Sequence, residues 1–141
     1  MPTRSASATW NGDLKSGNGS YEGKSGALKG NYSFGTRFEN APGSNPEELI
    51  GAAHAACYSM ALAHGLASAG MKPQRVNTTA AVTIDQVPGG FKITKIKLTC
   101  EASVPGADQA KFQEIANATK TGCPVSGALS AVPMELDAKL V

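Results

Sequence analysis

"NPEELIGAAHAACYSMALAHGL", residues Asn45–Leu66, is the stretch on which the fold turns. It opens like a solvent-facing helix and then loses its charge, with no aspartate, glutamate, lysine or arginine between Glu48 and Lys72. Asn45 is a natural N-cap, Pro46 suits the first helical position, and Glu48 stands where a capping-box carboxylate belongs. Gly70 followed by Pro73 supplies the stop. A helix so poor in charge cannot show a broad face to water, so cover is expected on nearly all sides. The run Leu49–Ala69 could cross a bilayer at ~1.5 Å per residue. Yet Ala, Gly, Ser and His dominate it, and its large aliphatics are Leu49, Ile50, Met60, Leu62 and Leu66. That composition favours the buried helix of a soluble domain over a membrane span.

The segments around this helix read mainly as strands. Before it, "SGNGS" (Ser16–Ser20) has turn chemistry between the strand fragments "ATW" and "YEG". "ALKGNYSF" (Ala27–Phe34) suggests a third strand, and "GTRFENAPGSNPEEL" a loop into the helix. After it, Val76, Thr78, Ala80, Val82 and Ile84 share one face of a strand that turns at "PGG" (Pro88–Gly90). The return strand sets Ile96, Leu98, Cys100, Ala102 and Val104 against Lys95, Lys97, Thr99, Glu101 and Ser103. This period of two belongs to a strand and makes Cys100 a small inward-facing hydrophobe. Ala107–Lys120 reads as a second helix with Phe112, Ile115 and Ala116 as its apolar stripe. In "GCPVSGAL", Pro124 at a helix start would make Cys123 the N-cap. "VPMELDAKLV" alternates as a final strand. The order of strands, helix, hairpin, helix and strand predicts an α+β fold, with residues 1–141 forming one domain. A sheet can cover only one side of the long helix, so a second copy of that helix is expected on the other, in an intertwined two-fold homodimer.

Composition narrows the function. The 141 residues are 41% hydrophobic and 17% charged, a low charge content for the surface of a small monomer. A net charge of +2 with scattered lysines gives no footprint for nucleic acid. The opening "MPTRSASATWNGD" has no apolar h-region, so no secretory signal is expected. Three cysteines make an odd count, which suits a reducing cytoplasm with a working thiol better than a disulfide scaffold.

The chemistry therefore rests on the cysteines. A thiol attacks as thiolate, and an isolated cysteine with a pKa of ~8.5 is mostly protonated at neutral pH. Burial on an apolar helix makes ionisation harder. Cys57 lies about three turns into its helix, beyond the useful reach of the helix dipole. A cation must then come from elsewhere: His54 is one turn away, and Arg37 lies in the segment that feeds the helix. Glu47 could hold and aim an arginine through a bidentate pair. Cys123 is better placed on its own account, because donors at a helix N-terminus favour thiolate. Two thiols far apart in sequence, one helical and one on a connection, have the layout of a peroxidatic and a resolving cysteine.

Two stretches, "TRFENAPGSNPEELIGAAHAACYSMAL" and "GCPVS", resemble the OsmC branch of the OsmC and organic hydroperoxide reductase family. The resemblance extends to "WNGDLKSGNG", "FKITKIKL" and the last strand, and so through nearly the whole chain. It implies a homodimer with central helices wrapped by sheets and a thiol peroxidase site at the interface. By motif, Cys57 matches the peroxidatic cysteine and Cys123 the resolving one. Arg37 matches the thiolate-stabilising arginine and Glu47 its carboxylate partner. Cys100 has no counterpart, and Tyr58 stands where Phe is expected.

The resemblance further implies reduction of organic hydroperoxides, and more weakly of hydrogen peroxide, in defence against oxidative and osmotic stress. A Cys57 sulfenic acid and a Cys57–Cys123 disulfide would be the intermediates, with an external dithiol, a lipoylated protein, restoring both thiols. No metal, haem or flavin is called for, and neither nucleic acid nor membrane is an expected partner. Three rival readings compete. A metal site would use the His54 and Cys57 pair, but no second pair of usual spacing joins it. A Cys–His hydrolase would need His54 to reach along its own helix. A non-enzymatic helix-dimer binding module would have structural cysteines indifferent to oxidant. For His54 and His64, packing or hydrogen bonding is the expected role.

Overall fold

A computed structural model describes residues Met1–Val141, which fall into two compact units, Met1–Leu49 and Ile50–Val141. In the first unit, β1 (Ala6–Asn11), β2 (Asn18–Gly23) and β3 (Lys29–Tyr32) form an antiparallel sheet in that order. The rings of Trp10 and Tyr32 meet at 5.4 Å, and those of Tyr21 and Tyr32 at 6.1 Å. They lie over Gly19, where an added Cβ would come within 2.6 Å of the Tyr32 ring.

Two features of this unit differ from the sequence-based expectation. The β1–β2 turn lies earlier, at Asp13–Gly17, so that Asn18, Gly19 and Ser20 belong to the strand. Asp13 fixes it by accepting from both the backbone N–H and the hydroxyl of Ser16 at 2.7 Å. The expected third strand stops at Tyr32, because Ser33 caps a short helix, α1 (Phe34–Phe38). The Thr36 N–H donates to the Ser33 hydroxyl oxygen at 3.3 Å, and the Ser33 N–H donates to Thr36 Oγ1 at 2.9 Å. This reciprocal pair is a capping box with threonine in place of glutamate. Arg37 therefore sits on the last turn of a helix and not in a loop.

The long helix α2 (Pro46–Ser68) begins and ends where the sequence places it. Asn45 Oδ1 accepts from the Glu48 N–H at 2.8 Å, and the Glu48 carboxylate takes the Ser44 hydroxyl at 3.0 Å. At the other end Gly70 adopts φ 85°, with Met71 N–H to Leu66 O and Gly70 N–H to Ala67 O both at 3.0 Å. These two bonds form a Schellman stop.

In the second unit β4 (Arg75–Val87), β5 (Gly90–Ser103) and β6 (Met134–Leu140) make a sheet ordered β4-β5-β6. The β4–β5 hairpin is antiparallel and carries a register shift at Thr83/Ile84, while β6 runs parallel to β5 from the pair Ile96 and Met134. A parallel return needs a crossover, supplied by α3 (Gln109–Gly122) and α4 (Pro124–Ala128). The expected inward faces hold: Ile96, Leu98, Cys100 and Ala102 are fully buried, as are Phe112 and Ala116 of α3. From α2, a stripe of Gly51, His54, Tyr58, Leu62 and Leu66 enters this core. Each fully buried leucine contributes roughly 1.5–3 kcal/mol relative to exposure.

The opposite face of α2 is open. Ala52, Ala53 and Ala56 are exposed, and Met60 is 75% exposed. Within one chain only 28% of the most apolar window of α2 is buried, so cover on nearly all sides is not what one copy provides. Ala61, by contrast, packs half-buried against the core of its own unit.

Candidate active site

The buried stripe of α2 turns His54 and Cys57, one turn apart, towards the start of α4. There Cys123 is the N-cap, and Ser126 lies one turn further on. Each meets a partner. The sulfurs of Cys57 and Cys123 are 2.9 Å apart and share a hydrogen bond, with both thiols free. His54 Nε2 and Ser126 Oγ are 2.7 Å apart. Helices α2 and α4 thus meet through two polar pairs with the same three-residue offset on each side. Access differs sharply between the sulfurs, because Cys57 is half-buried and Cys123 fully buried.

The surroundings divide the thiols further. Burial raises Cys57, and the hydrogen bond with the Cys123 sulfur raises it further. Burial also pushes Cys123 up, but the bond from Cys57 and the N–H groups and hydroxyl at the start of α4 outweigh it. Its ionisation therefore lies below the ordinary range. The Cys123 sulfur makes no full capping bond, yet Val125 and the N–H and hydroxyl of Ser126 lie close enough to favour its charged form. Cys100, inward on β5, is raised chiefly by burial and lies outside this cluster.

Arg37 and Glu47 come together in the first unit. Arg37 Nη2 donates to Glu47 Oε1 at 2.8 Å, and Arg37 Nε donates to Oε1 at 3.1 Å and Oε2 at 3.3 Å. The carboxylate side chain is only 7% exposed and the guanidinium 33%. Arg37 also lies 5.2 Å from the Phe38 ring centroid. A cavity of about 400 Å³, walled by Trp10, Leu14, Tyr32, Phe34 and Phe38, borders the same arginine. The four site residues inferred from sequence thus form two pairs, Cys57 with Cys123 and Arg37 with Glu47.

Two further histidine readings resolve differently. His54 is buried and bonded as expected, with its ring nitrogen directed to Ser126, which leaves the Cys–His dyad without its base. His64 is exposed and lines a cavity with Ala61, Gly65 and Ile115, so its expected packing or bonded role is not found. Ser126 was missed by the sequence. Its signal, a serine one turn after Cys123 in "CPVS", gives no hint of a partner 72 residues away. Tyr58 is an anchor of the core, fully buried with its hydroxyl donating to the Ala116 carbonyl at 3.0 Å.

Comparison with known proteins places the chain in a family. The OsmC family model, described as OsmC-like protein, matches residues 39–137. The chain is 53% identical over 125 residues to peroxiredoxin OsmC of Escherichia coli (strain K12), covering 88% of this chain and 87% of that protein. It is 37% identical over 87 residues to the organic hydroperoxide resistance protein of Xanthomonas axonopodis pv. citri (strain 306), covering 61% and 59% respectively. The crystal structure of the organic hydroperoxide resistance protein OhrB of Bacillus subtilis matches with a TM-score of 0.76 at 27% identity, over 96% of this chain and 98% of that one. With a family model across residues 39–137 and a relative identical at more than half the aligned positions, the chain belongs to the OsmC family.

Proposed function

We propose that this protein is a thiol-dependent peroxidase that reduces organic hydroperoxides to alcohols. The observation that carries the reading is the sulfur pair: a reachable Cys57 held 2.9 Å from a fully buried Cys123. The names of the relatives, a peroxiredoxin and organic hydroperoxide resistance proteins, support it. In the first step the Cys57 thiolate attacks the distal oxygen of ROOH and the O–O bond breaks. The alkoxide leaves and takes a proton to become ROH, while Cys57 is oxidised to sulfenic acid. Next the Cys123 thiolate attacks the Cys57 sulfur, the S–O bond breaks, and hydroxide leaves as water once protonated. The sulfurs need to close only from 2.9 Å to about 2.05 Å to form the disulfide.

Cys57 is the member of the pair whose ionisation is disfavoured, so its activation falls to a cation. By family resemblance that cation is Arg37, held in a fork by Glu47, which also stabilises the charge developing on oxygen. The aromatic cavity beside Arg37 suits the hydrocarbon part of an organic peroxide better than hydrogen peroxide. The open alanine face of α2 is covered by a second copy, so the working unit is a homodimer in which each chain acts as one domain, 1–141. Reduced cysteines fit a cytoplasmic setting, and an external dithiol, a lipoyl group by family resemblance, returns the disulfide to thiols. Peroxide clearance under oxidative and osmotic stress is the corresponding role.

One equivalent of an organic hydroperoxide, followed by peptide mass spectrometry, tests the reading. The expected product is a Cys57–Cys123 disulfide with Cys100 still free. Thiols that ignore the oxidant would favour a binding module with structural cysteines, and a disulfide through Cys100 would overturn the assignment.

A further inference from the structure

We infer that His54 and Ser126 form a donor relay aimed at the Cys123 sulfur, making them positioning residues for disulfide formation. The inference rests on the peroxidase reading above. His54 is fully buried and Ser126 is 2% exposed, and they meet at 2.7 Å one turn away from the sulfur pair on both elements. A buried polar pair gains little over an apolar pair of the same shape, so packing alone does not require an imidazole and a hydroxyl here.

The direction of the relay follows from the one orphan atom of the cluster. His54 Nδ1 is buried without a partner. Burial holds the imidazole below its ordinary ionisation, so the ring is neutral and carries one proton. On Nδ1 that proton would be a buried N–H with no acceptor, which is rarer than an unpaired lone pair. It belongs on Nε2, which then donates to Ser126 Oγ. The serine hydroxyl, in the first turn of the helix that Cys123 caps, is left free to turn its own hydrogen towards the sulfur, whose charged form it favours. A neutral imidazole thus orients a hydroxyl, and the hydroxyl fixes the thiolate that attacks the Cys57 sulfenic acid. The titratable groups facing Cys123 and Ser126 are His54, Cys57 and Tyr58 from α2. Glu114 and His64 line a cavity that Cys123 also borders.

The test has two arms on the full-length reduced protein. In the first, one equivalent of cumene hydroperoxide is added, and Cys57 sulfenic acid trapped by dimedone is compared over time with the Cys57–Cys123 disulfide. Ser126→Ala should slow disulfide formation about tenfold more than it slows Cys57 oxidation, as expected for loss of one hydrogen bond to a charged group. Ser126→Thr, which keeps the hydroxyl, should restore it. His54→Leu should behave like Ser126→Ala, and His54→Gln, which keeps an N–H donor, should fall between His54→Leu and the wild type. The second arm needs no peroxide. In a Cys57→Ser background, with Cys57→Ser/Cys123→Ser as the blank, thiolate ultraviolet absorbance should titrate at higher pH for Ser126→Ala and at the parent pH for Ser126→Thr. An unmoved Ser126→Ala titration would overturn the relay. Failure of Cys57 to oxidise at all would sink the peroxidase reading while the titration still decides the relay.

Discussion

The Arg37 guanidinium grips Glu47 through Nε and Nη2, with its shortest contact at 2.8 Å, and so fixes the plane of a cation that an ammonium could not present. If this fork activates Cys57, Arg37→Ala should slow peroxide reduction by about 10²–10³-fold, the usual loss for one charge-stabilising donor. It should also move Cys57 alkylation to higher pH. Arg37→Lys should recover part of the rate, and Glu47→Ala should cost less than Arg37→Ala because the cation remains but is no longer aimed. Wild-type rate and alkylation profile in Arg37→Ala would remove the arginine from the mechanism.

Ala56 and Met60 mark the open face of α2, whereas Ala61 packs on the core of its own unit. Ala56→Glu should therefore break the dimer, because a carboxylate would be buried at the interface without a counter-ion. Multi-angle light scattering at micromolar concentration should give a dimer for the wild type and a monomer for Ala56→Glu. A folded wild-type monomer under those conditions would contradict the assembly.

Burial holds His54 below its ordinary value of 6.5, which ties stability to pH. The unfolded chain takes up a proton near pH 6.5 that the folded chain refuses, so stability is full above that value and lost as the pH falls below it. The slope can reach about 1.4 kcal/mol per pH unit until the folded value is reached. Asp13, held low chiefly by the Ser16 hydroxyl, acts only below its ordinary 3.8 and does not confuse this window. Urea unfolding at steps from pH 7.5 to 5 should show the decline, and His54→Gln should flatten it. An unchanged slope in His54→Gln would assign the acid sensitivity elsewhere.

Tyr58 ties α2 to α3 through its bond to the Ala116 carbonyl. Tyr58→Phe keeps the ring in the core and loses that bond, so it should cost about 1 kcal/mol of stability. The rate of Cys57 oxidation should stay within about twofold, since the phenol hydroxyl bonds to α3 and not to either sulfur. Chemical denaturation and single-turnover kinetics measure the two separately, and a selective rate loss would place the hydroxyl in the chemistry.

The elements legible in the sequence were those governed by local chemistry. Asn45, Pro46 and Gly70 bound α2 because caps and stops act within a turn, and the β5 alternation foretold the burial of Cys100. The α1 helix escaped because its capping box uses Thr36 at the position where glutamate or glutamine is diagnostic. The thiol pair was legible through family motifs, but its hydroxyl neighbour was not. His54 and Ser126 owe their meeting to the docking of α4 on α2, and no local period encodes a contact across that distance in the chain. The same limit leaves the open face of α2 unread, since an almost uniformly small and apolar helix does not announce which side its own sheet will take.

Cys123 travels in the crossover between β5 and β6, and the pairing of β6 beside β5 closes that crossover. A strand made after Cys123 is thus one of the clasps that hold the second sulfur against the first. Parallel pairing over such a long connection is entropically slow to close. In the proposed scheme Cys57 is made well before Cys123 is seated, and an oxidant met in that interval would find a sulfur able to climb towards sulfinic acid with no thiol in place to stop it. The peroxidase is most vulnerable to its own substrate class in the moments before it is complete.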